Sequence, residues 1–195
     1  MKDNYFKTAA KISLVLLLIC AVIAGVVAFV YSFTIDAYEA NIAAQKRVAI
    51  SSIFAENDGD VIDYTSLESL PEGANEVYAV SKNSQPAGYC VNISGKGFGG
   101  EISLMIGYNA DGTVKGVNVV SHSETPGVGT KVVGSPDFLA QYENKVGELT
   151  ISKKAGADVV AVSGATISSK AVNAAVNKAN AIVASLIATE GGIEQ

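Results

Sequence analysis

An uncharged apolar run near the N-terminus places the strongest constraint on this chain. Residues 12–33 form 22 consecutive positions without Asp, Glu, Lys or Arg. As a helix they would span about 33 Å, close to the hydrocarbon thickness of a bilayer, about 30 Å. The apolar region of a cleaved signal peptide is shorter, about 7–15 residues. A lipoprotein anchor at Cys20 is disfavoured, because Ile19 stands where a small residue is expected. The run therefore predicts an uncleaved, single-pass transmembrane helix.

The charges that flank this run predict its orientation. The first eleven residues contain three Lys and one Asp, a net charge of +2, whereas the whole chain has a net charge of −5. The remaining residues therefore carry −7. Because positive charge is retained on the cytoplasmic side, residues 1–11 are predicted to be a cytoplasmic tail and the rest extracytoplasmic. The chain has no Lys/Arg cluster interleaved with aromatic residues, so a nucleic-acid partner is not expected.

The rest of the chain is predicted to be an α+β protein with an antiparallel sheet and packed helices. Residues 36–54 are rich in Ala and have apolar residues at helical spacing, so residues 34–75 are predicted to be a helical stalk that packs against a folded domain at 76–195. Cys20 lies in the apolar run and Cys90 in a strand, so no disulfide is expected. Apolar segments bounded by turn signals predict strands at 77–80, 88–93, 102–108, 114–121 and 159–162, and helical spacing predicts helices at 136–142 and 167–187.

Two glycine-rich segments match nucleotide-binding patterns only by their letters. Residues 95–100 satisfy GxGxxG, but a predicted strand follows them where a dinucleotide site requires a helix. Residues 127–131 lack the spacing of a Walker A loop. His122 is the only histidine and has no ligand cluster near it in sequence, so no metal site is predicted. A structural or cofactor-lining role is favoured for it.

The segment Ser163-Gly164-Ala165-Thr166 joins a short predicted strand to a long predicted helix. Small residues in this turn would let a ligand approach the backbone, and Thr166 lies near the first turn of the helix. Unpaired N–H groups and the helix dipole favour an anion there, such as a phosphate held at or esterified to the Thr166 oxygen. The residues alone leave a second interpretation open, in which a Ser or Thr hydroxyl merely caps the helix.

Three segments resemble the FMN-binding domain shared by RnfG and NqrC. Residues 163–169 (SGATISS) resemble the flavinylation motif of that family, residues 122–129 (HSETPGVG) its HxETPGLG segment, and residues 97–102 (GFGGEI) its GYGGxI turn. Val160 stands where the family often has an acidic residue three positions before the Ser of SGAT. The resemblance extends over most of the chain, and the absence of the longer NqrC insertions favours RnfG.

The resemblance implies a function and a set of site residues. It implies a membrane-anchored flavoprotein subunit of an Rnf-type ion-translocating ferredoxin:NAD oxidoreductase, with the other Rnf subunits and a flavin transferase that uses FAD as partners. FMN would be linked to Thr166 by a phosphoester bond and would relay electrons. The phosphate turn would be shaped by Ser163, Gly164 and Ala165, and the flavin site would be lined by Glu124 and Thr125. Two alternatives stay open: an anchored binding module without a cofactor, and an FMN domain of another respiratory or regulatory system.

Overall fold

The computed structural model describes residues 2–55, 60, 62–67, 71–154 and 156–190 of the chain. Within them the helices are α1 (Lys2–Phe54), α2 (Thr130–Val133), α3 (Pro136–Ala140) and α4 (Thr166–Glu190). The strands are β1 (Ile62–Ser66), β2 (Glu76–Lys82), β3 (Gln85–Lys96), β4 (Glu101–Asn109), β5 (Val114–His122), β6 (Ile151–Ser152) and β7 (Val159–Val160). The chain divides into two compact units, Met1–Ala44 and Gln45–Gln195.

The first unit is the N-terminal part of α1 and contains the predicted membrane span. The apolar side chains of residues 12–33 are all exposed, as expected of a helix whose partner is lipid. The segment Lys11–Phe54 is long and apolar enough to cross a membrane. Helix α4 passes the same test, but an apolar stripe along it is buried inside the second unit, as in the core helix of a domain.

The predicted helical stalk over 34–75 is wrong in its second half. Helix α1 ends at Phe54, and residues 62–66 form β1, which pairs antiparallel with β2. The physical reason is the alternation of β1, in which Ile62 and Tyr64 are half-buried and pack against one side of the sheet. Two apolar residues two positions apart suit an edge strand that buries only one face.

The central sheet has the order β1-β2-β3-β4-β5, and each strand pairs antiparallel with its neighbour. The predicted strands over 77–80, 88–93, 102–108 and 114–121 are confirmed, each with ends longer by one or a few residues. The turn after β2 places Asn83 and Ser84 at positive φ (51° and 64°), which matches the twist of a two-residue hairpin. The glycine-rich segment 97–100 connects β3 to β4, so its interpretation as a link between strands is also confirmed.

Helices cover both faces of this sheet. The last turns of α1 lie on one face, where a smaller cluster is buried: Ala49, Ile50, Phe54, Tyr78, Val80, Cys90, Met105 and Val120. Cys90 is fully buried in this cluster, and this burial raises the pKa of its thiol. Helix α4 lies on the other face, where the larger cluster includes Val91, Ile93, Leu104, Ile106, Val172, Val176 and Ala179.

Helix α4 approaches the sheet closely at Gly95 in β3. A methyl group on Gly95 would lie 2.8 Å from the carbonyl oxygen of Ala171, closer than real Cβ contacts. The small side chain of Ala175 is the next neighbour of the same position. This close contact fixes the distance between the N-terminal half of α4 and the end of β3. It therefore also fixes where the helix begins relative to the sheet.

Two buried tyrosines generate a prediction about stability. Tyr108 and Tyr142 are both fully buried, and the Tyr108 hydroxyl donates to Asn180 Oδ1 at 2.8 Å. The Tyr142 hydroxyl has no hydrogen-bond partner among the described residues. We expect Tyr108→Phe to lower the free energy of unfolding by about 1–3 kcal/mol, because Asn180 keeps a buried, unsatisfied acceptor. Tyr142→Phe removes only an unsatisfied group and should be neutral or stabilising.

The measurement is the midpoint of urea-dependent proteolysis of the full chain in detergent, which reports unfolding of the second unit. Equal midpoints for the two variants would contradict the prediction.

Candidate functional site

The turn that precedes α4 is built on a short parallel strand pair. Strand β6 pairs with β7, and the chain then turns at Gly164, whose φ is +79°. This left-handed conformation favours glycine, because a side chain would clash with the backbone. The Ala165 N–H donates to the Val162 carbonyl at 3.1 Å and closes the turn. The predicted strand ends at Val160 rather than 162, and the predicted helix begins at Thr166.

Hydrogen bonds of Ser169 connect this turn to the first turn of the helix. The Ser169 N–H donates to the Ala165 carbonyl at 3.0 Å, and its hydroxyl donates to the same oxygen at 3.0 Å. The hydroxyl also accepts the Val162 N–H at 3.1 Å. The helical bond from residue 169 to residue 165 leaves the N–H groups of residues 166–168 without acceptors in the preceding turn. Since the first turn contains no acidic side chain, these N–H groups and the helix dipole favour an external anion.

Glu124 joins three segments beneath this helix start. Only 6% of it is exposed, and its Oε2 accepts the Gly99 N–H at 3.2 Å and the Ser168 hydroxyl at 3.1 Å. The Ser168 hydroxyl also accepts the Phe98 N–H at 3.3 Å. Glu124 Oε1 is buried without a partner among the described residues. One carboxylate thus connects the glycine turn after β3, the segment after β5 and the first turn of α4.

Glycines make room for this carboxylate. A methyl group on Gly97 or on Gly129 would overlap the Glu124 carboxylate. A methyl group on Gly99 would lie 2.5 Å from the Thr125 backbone nitrogen. Glycine at these three positions therefore allows the two segments to pack closely around Glu124 and Thr125.

A cavity of about 380 Å³ opens beside Thr166. This volume falls in the range of small-molecule sites, about 300–1,000 Å³. Phe98 and Ile167 line it with large apolar side chains that are 58% and 56% exposed. The lining consists of Phe98, Val128, Lys153, Gly164, Ala165, Thr166 and Ile167. Such a site can hold an apolar ring next to an anionic group at the helix start.

The structure places the predicted site residues at three different locations. Gly164, Ala165 and Thr166 line the cavity, and Ser163 is exposed in the same turn. Glu124 is not among the lining residues and lies buried behind the glycine turn. Thr125 is exposed beside that turn.

His122 and several unpredicted residues complete the surroundings. His122 is exposed, and its Nδ1 accepts the Glu124 N–H at 3.3 Å, which supports the turn after β5. In the described part of the chain, no group of three or more His, Cys, Asp or Glu side chains is placed to hold a metal ion. Sequence reasoning missed the roles of Phe98, Val128, Ile167 and Ser168, although all four lie within the recognised motifs, and it also missed Lys153, which lies outside them.

Asp158 and Val160 flank the site without forming part of the cavity. The Asp158 carboxylate accepts the Thr150 hydroxyl at 2.6 Å and the Thr150 N–H at 2.8 Å. These bonds, the hydroxyl first, hold the pKa of Asp158 below its usual value. Val160 is 39% exposed.

Comparison with known proteins identifies the class of domain that carries this site. Residues 97–181 match the family model described as the FMN-binding domain. The matched range contains the glycine turn, Glu124, the SGAT turn and most of α4. The chain therefore contains an FMN-binding domain, and the cavity beside Thr166 lies within it.

Relatives that match nearly the whole chain narrow this class. The chain is 32% identical to the G subunit of the proton-translocating ferredoxin:NAD(+) oxidoreductase complex of Clostridium ljungdahlii, covering 91% of this chain and 93% of that one. It is 32% identical to the G subunit of the ion-translocating oxidoreductase complex of Methanosarcina acetivorans, covering 92% and 95%. This chain belongs to the RnfG family of ion-translocating oxidoreductase subunits. The crystal structure of Shewanella oneidensis NqrC is 28% identical over 64% of this chain and 65% of that one, with a TM-score of 0.45.

The packing around Glu124 generates a prediction. Gly129 has a φ of −68°, which any residue adopts, so Gly129→Ala acts only through overlap with the Glu124 carboxylate. Moving that carboxylate breaks its bonds to the Gly99 N–H and the Ser168 hydroxyl. We expect the free energy of unfolding to fall by about 1–3 kcal/mol.

Gly116→Ala is the matched control for this substitution. Its added methyl group would make an ordinary contact of 3.5 Å with Ile53. Urea-dependent proteolysis of both variants provides the comparison. A Gly129→Ala protein as stable as the Gly116→Ala protein would show that Glu124 does not hold these segments together.

Proposed function

We propose that this protein is the membrane-anchored flavoprotein subunit of an Rnf-type ion-translocating ferredoxin:NAD oxidoreductase. One FMN, esterified to Thr166, would relay electrons between other subunits of the complex. The observation that carries the proposal is the position of Thr166, a half-buried hydroxyl at the start of α4 on an apolar cavity, in a chain of the RnfG family. A bare helix cap would not need this cavity.

The residues present fit FMN. The phosphate would bind at the start of α4, where Thr166 supplies the bonding oxygen and the N–H groups of the first turn supply donors. Gly164 and Ala165 leave space for it, and Ser163 precedes them in the same turn. The aromatic isoalloxazine ring would contact Phe98, Val128 and Ile167.

Glu124 and Thr125 act on the site through the glycine turn. We now propose Glu124 as a positioning residue, since it ties the turn that carries Phe98 to the helix that carries Thr166. Thr125 would support the same turn at Gly99.

Attachment requires a flavin transferase and FAD. The Thr166 hydroxyl oxygen would form a bond to the phosphorus of the FMN half of FAD. The bond between that phosphorus and the bridging oxygen of the diphosphate would break, AMP would leave, and the hydroxyl proton would pass to solvent. No electrons are exchanged in this step, and the product is a phosphodiester.

A covalent link suits a protein whose domain faces the cell exterior. FMN supplies reversible acceptance of one or two electrons. A non-covalent micromolar site is worth about −8 kcal/mol and would lose its ligand to a dilute exterior. The ester at Thr166 prevents this loss, and the apolar lining limits the access of water.

The proposed topology follows from the charge flanks and the apolar run. Residues 1–11 would be cytoplasmic, 12–33 would span the membrane once, and the domain would lie outside the cytoplasm. The other Rnf-type subunits, embedded in the same membrane, would be its electron donor and acceptor.

The first test concerns the attachment residue. Thr166→Ala should abolish covalent flavin, since no oxygen remains at that position, while the fold persists because Ala suits a helix. Thr166→Ser should retain labelling, and Thr189→Ala, which removes an exposed hydroxyl near the other end of α4, should leave it unchanged. The measurement is in-gel flavin fluorescence under denaturing conditions, with each full-length chain co-produced with a flavin transferase.

Two outcomes would count against this proposal. A fluorescent Thr166→Ala band would assign the ester to another hydroxyl. A wild-type chain without flavin under the same conditions would favour the binding module without a cofactor.

The second test concerns topology. Protease added to cells with a permeabilised envelope and an intact inner membrane should digest the C-terminal domain, because the positively charged tail is retained inside. A cytoplasmic protein serves as the control for membrane integrity. Full protection of the domain, or a mature N-terminus that begins after Phe33, would refute the single-pass, N-inside topology.

A further inference from the structure

Lys153 carries the only charged side chain among the seven described residues that line the cavity. The others are the aromatic and aliphatic side chains of Phe98, Val128 and Ile167, the hydroxyl of Thr166, and the small residues of the turn. A lysine on a protein surface usually needs no partner. At this position, however, the lysine lines the same cavity as Thr166, the residue that is proposed to be esterified.

The fold fixes the backbone of Lys153 close to the SGAT turn. Lys153 directly follows β6, and β6 pairs with β7, the strand that leads into the turn. The hydrogen bonds from Thr150 to the Asp158 carboxylate connect the two strands at one end. After Lys153, the Lys154 N–H donates to the Ser152 hydroxyl at 3.2 Å, which bends the chain. Lys154 does not line the cavity, so two adjacent lysines have different surroundings.

We propose that Lys153 is a positioning residue that pairs with the phosphate of the flavin at Thr166. The inference rests on the proposed function and deepens it. The phosphate is the part of the flavin whose place is determined, because it is bonded to the Thr166 oxygen. A phosphodiester keeps one negative charge, and the diphosphate of the incoming FAD carries two. The ammonium group of Lys153 and the N–H groups of the helix start act on this anion from two elements of the fold.

This role predicts a specific pattern in the kinetics of flavin attachment. With the full-length chain in detergent, a flavin transferase and FAD, Lys153→Gln should lower kcat/KM for attachment about three- to fivefold at low ionic strength, the effect of an exposed ion pair. Lys153→Arg should restore most of the rate. Lys154→Gln, the matched control, should behave as wild type. Added salt should reduce the difference between wild type and Lys153→Gln, since salt screens exposed charges.

A second readout examines the attached phosphate directly. In fully labelled protein, Lys153→Gln should change the phosphorus NMR shift of the ester, whereas Lys154→Gln should not.

Equal rates and equal phosphorus shifts for the two glutamine variants would overturn the role of Lys153 and leave the attachment at Thr166 standing. Failure of Lys153→Arg to restore the rate would also overturn it, because the charge would then not be the cause. A wild-type chain that accepts no flavin would instead refute the proposed function itself.

Discussion

The packing of α4 against one face of the sheet determines where the candidate site lies. A buried apolar stripe on the helix, which includes Val172, Val176 and Ala179, contacts β3 and β4. The missing side chain of Gly95 allows the backbone of Ala171 to approach the strand closely. Apolar burial of this kind supplies most of the stability of a domain, so the helix cannot shift without losing it. Thr166 begins this helix, and its position follows from a core more than one helical turn away.

A buried carboxylate then fixes the loops around the helix start. Glu124 connects the glycine turn and the first turn of α4 through Gly99 and Ser168, and glycines on both sides leave no spare volume. Removing a carboxylate from water is costly unless hydrogen bonds replace the lost hydration. Here the hydrogen bonds of Glu124 to the Gly99 N–H and the Ser168 hydroxyl define the separation between Phe98 and Thr166. In the proposed flavin site, Phe98 would contact the ring and Thr166 would hold the phosphate. The relative positions of both residues thus depend on Glu124, which does not line the cavity.

Most of the sheet and the long helix could be predicted from periodicity, whereas the site could be predicted only in part. The strands β2 to β5 are apolar segments bounded by turn residues, and α4 has apolar residues at helical spacing. β1 was missed because only Ile62 and Tyr64 mark it, and they fall between turn residues. Thr166 was identifiable from its motif. The burial of Glu124 was not, because its partners lie 25 and 44 residues away along the chain. Lys153 has no motif, and only the pairing of β6 with β7 brings it to the cavity.

Peptide mapping of the protein from its native host tests the central claim most directly. Cleavage after lysine isolates residues 155–170, which contain Thr166 together with Ser163, Ser168 and Ser169. Fragmentation of this peptide by tandem mass spectrometry distinguishes the four hydroxyl groups. The account predicts the mass of one FMN, less one water, on Thr166 alone. An unmodified peptide, or FMN on any of the three serines, would contradict it.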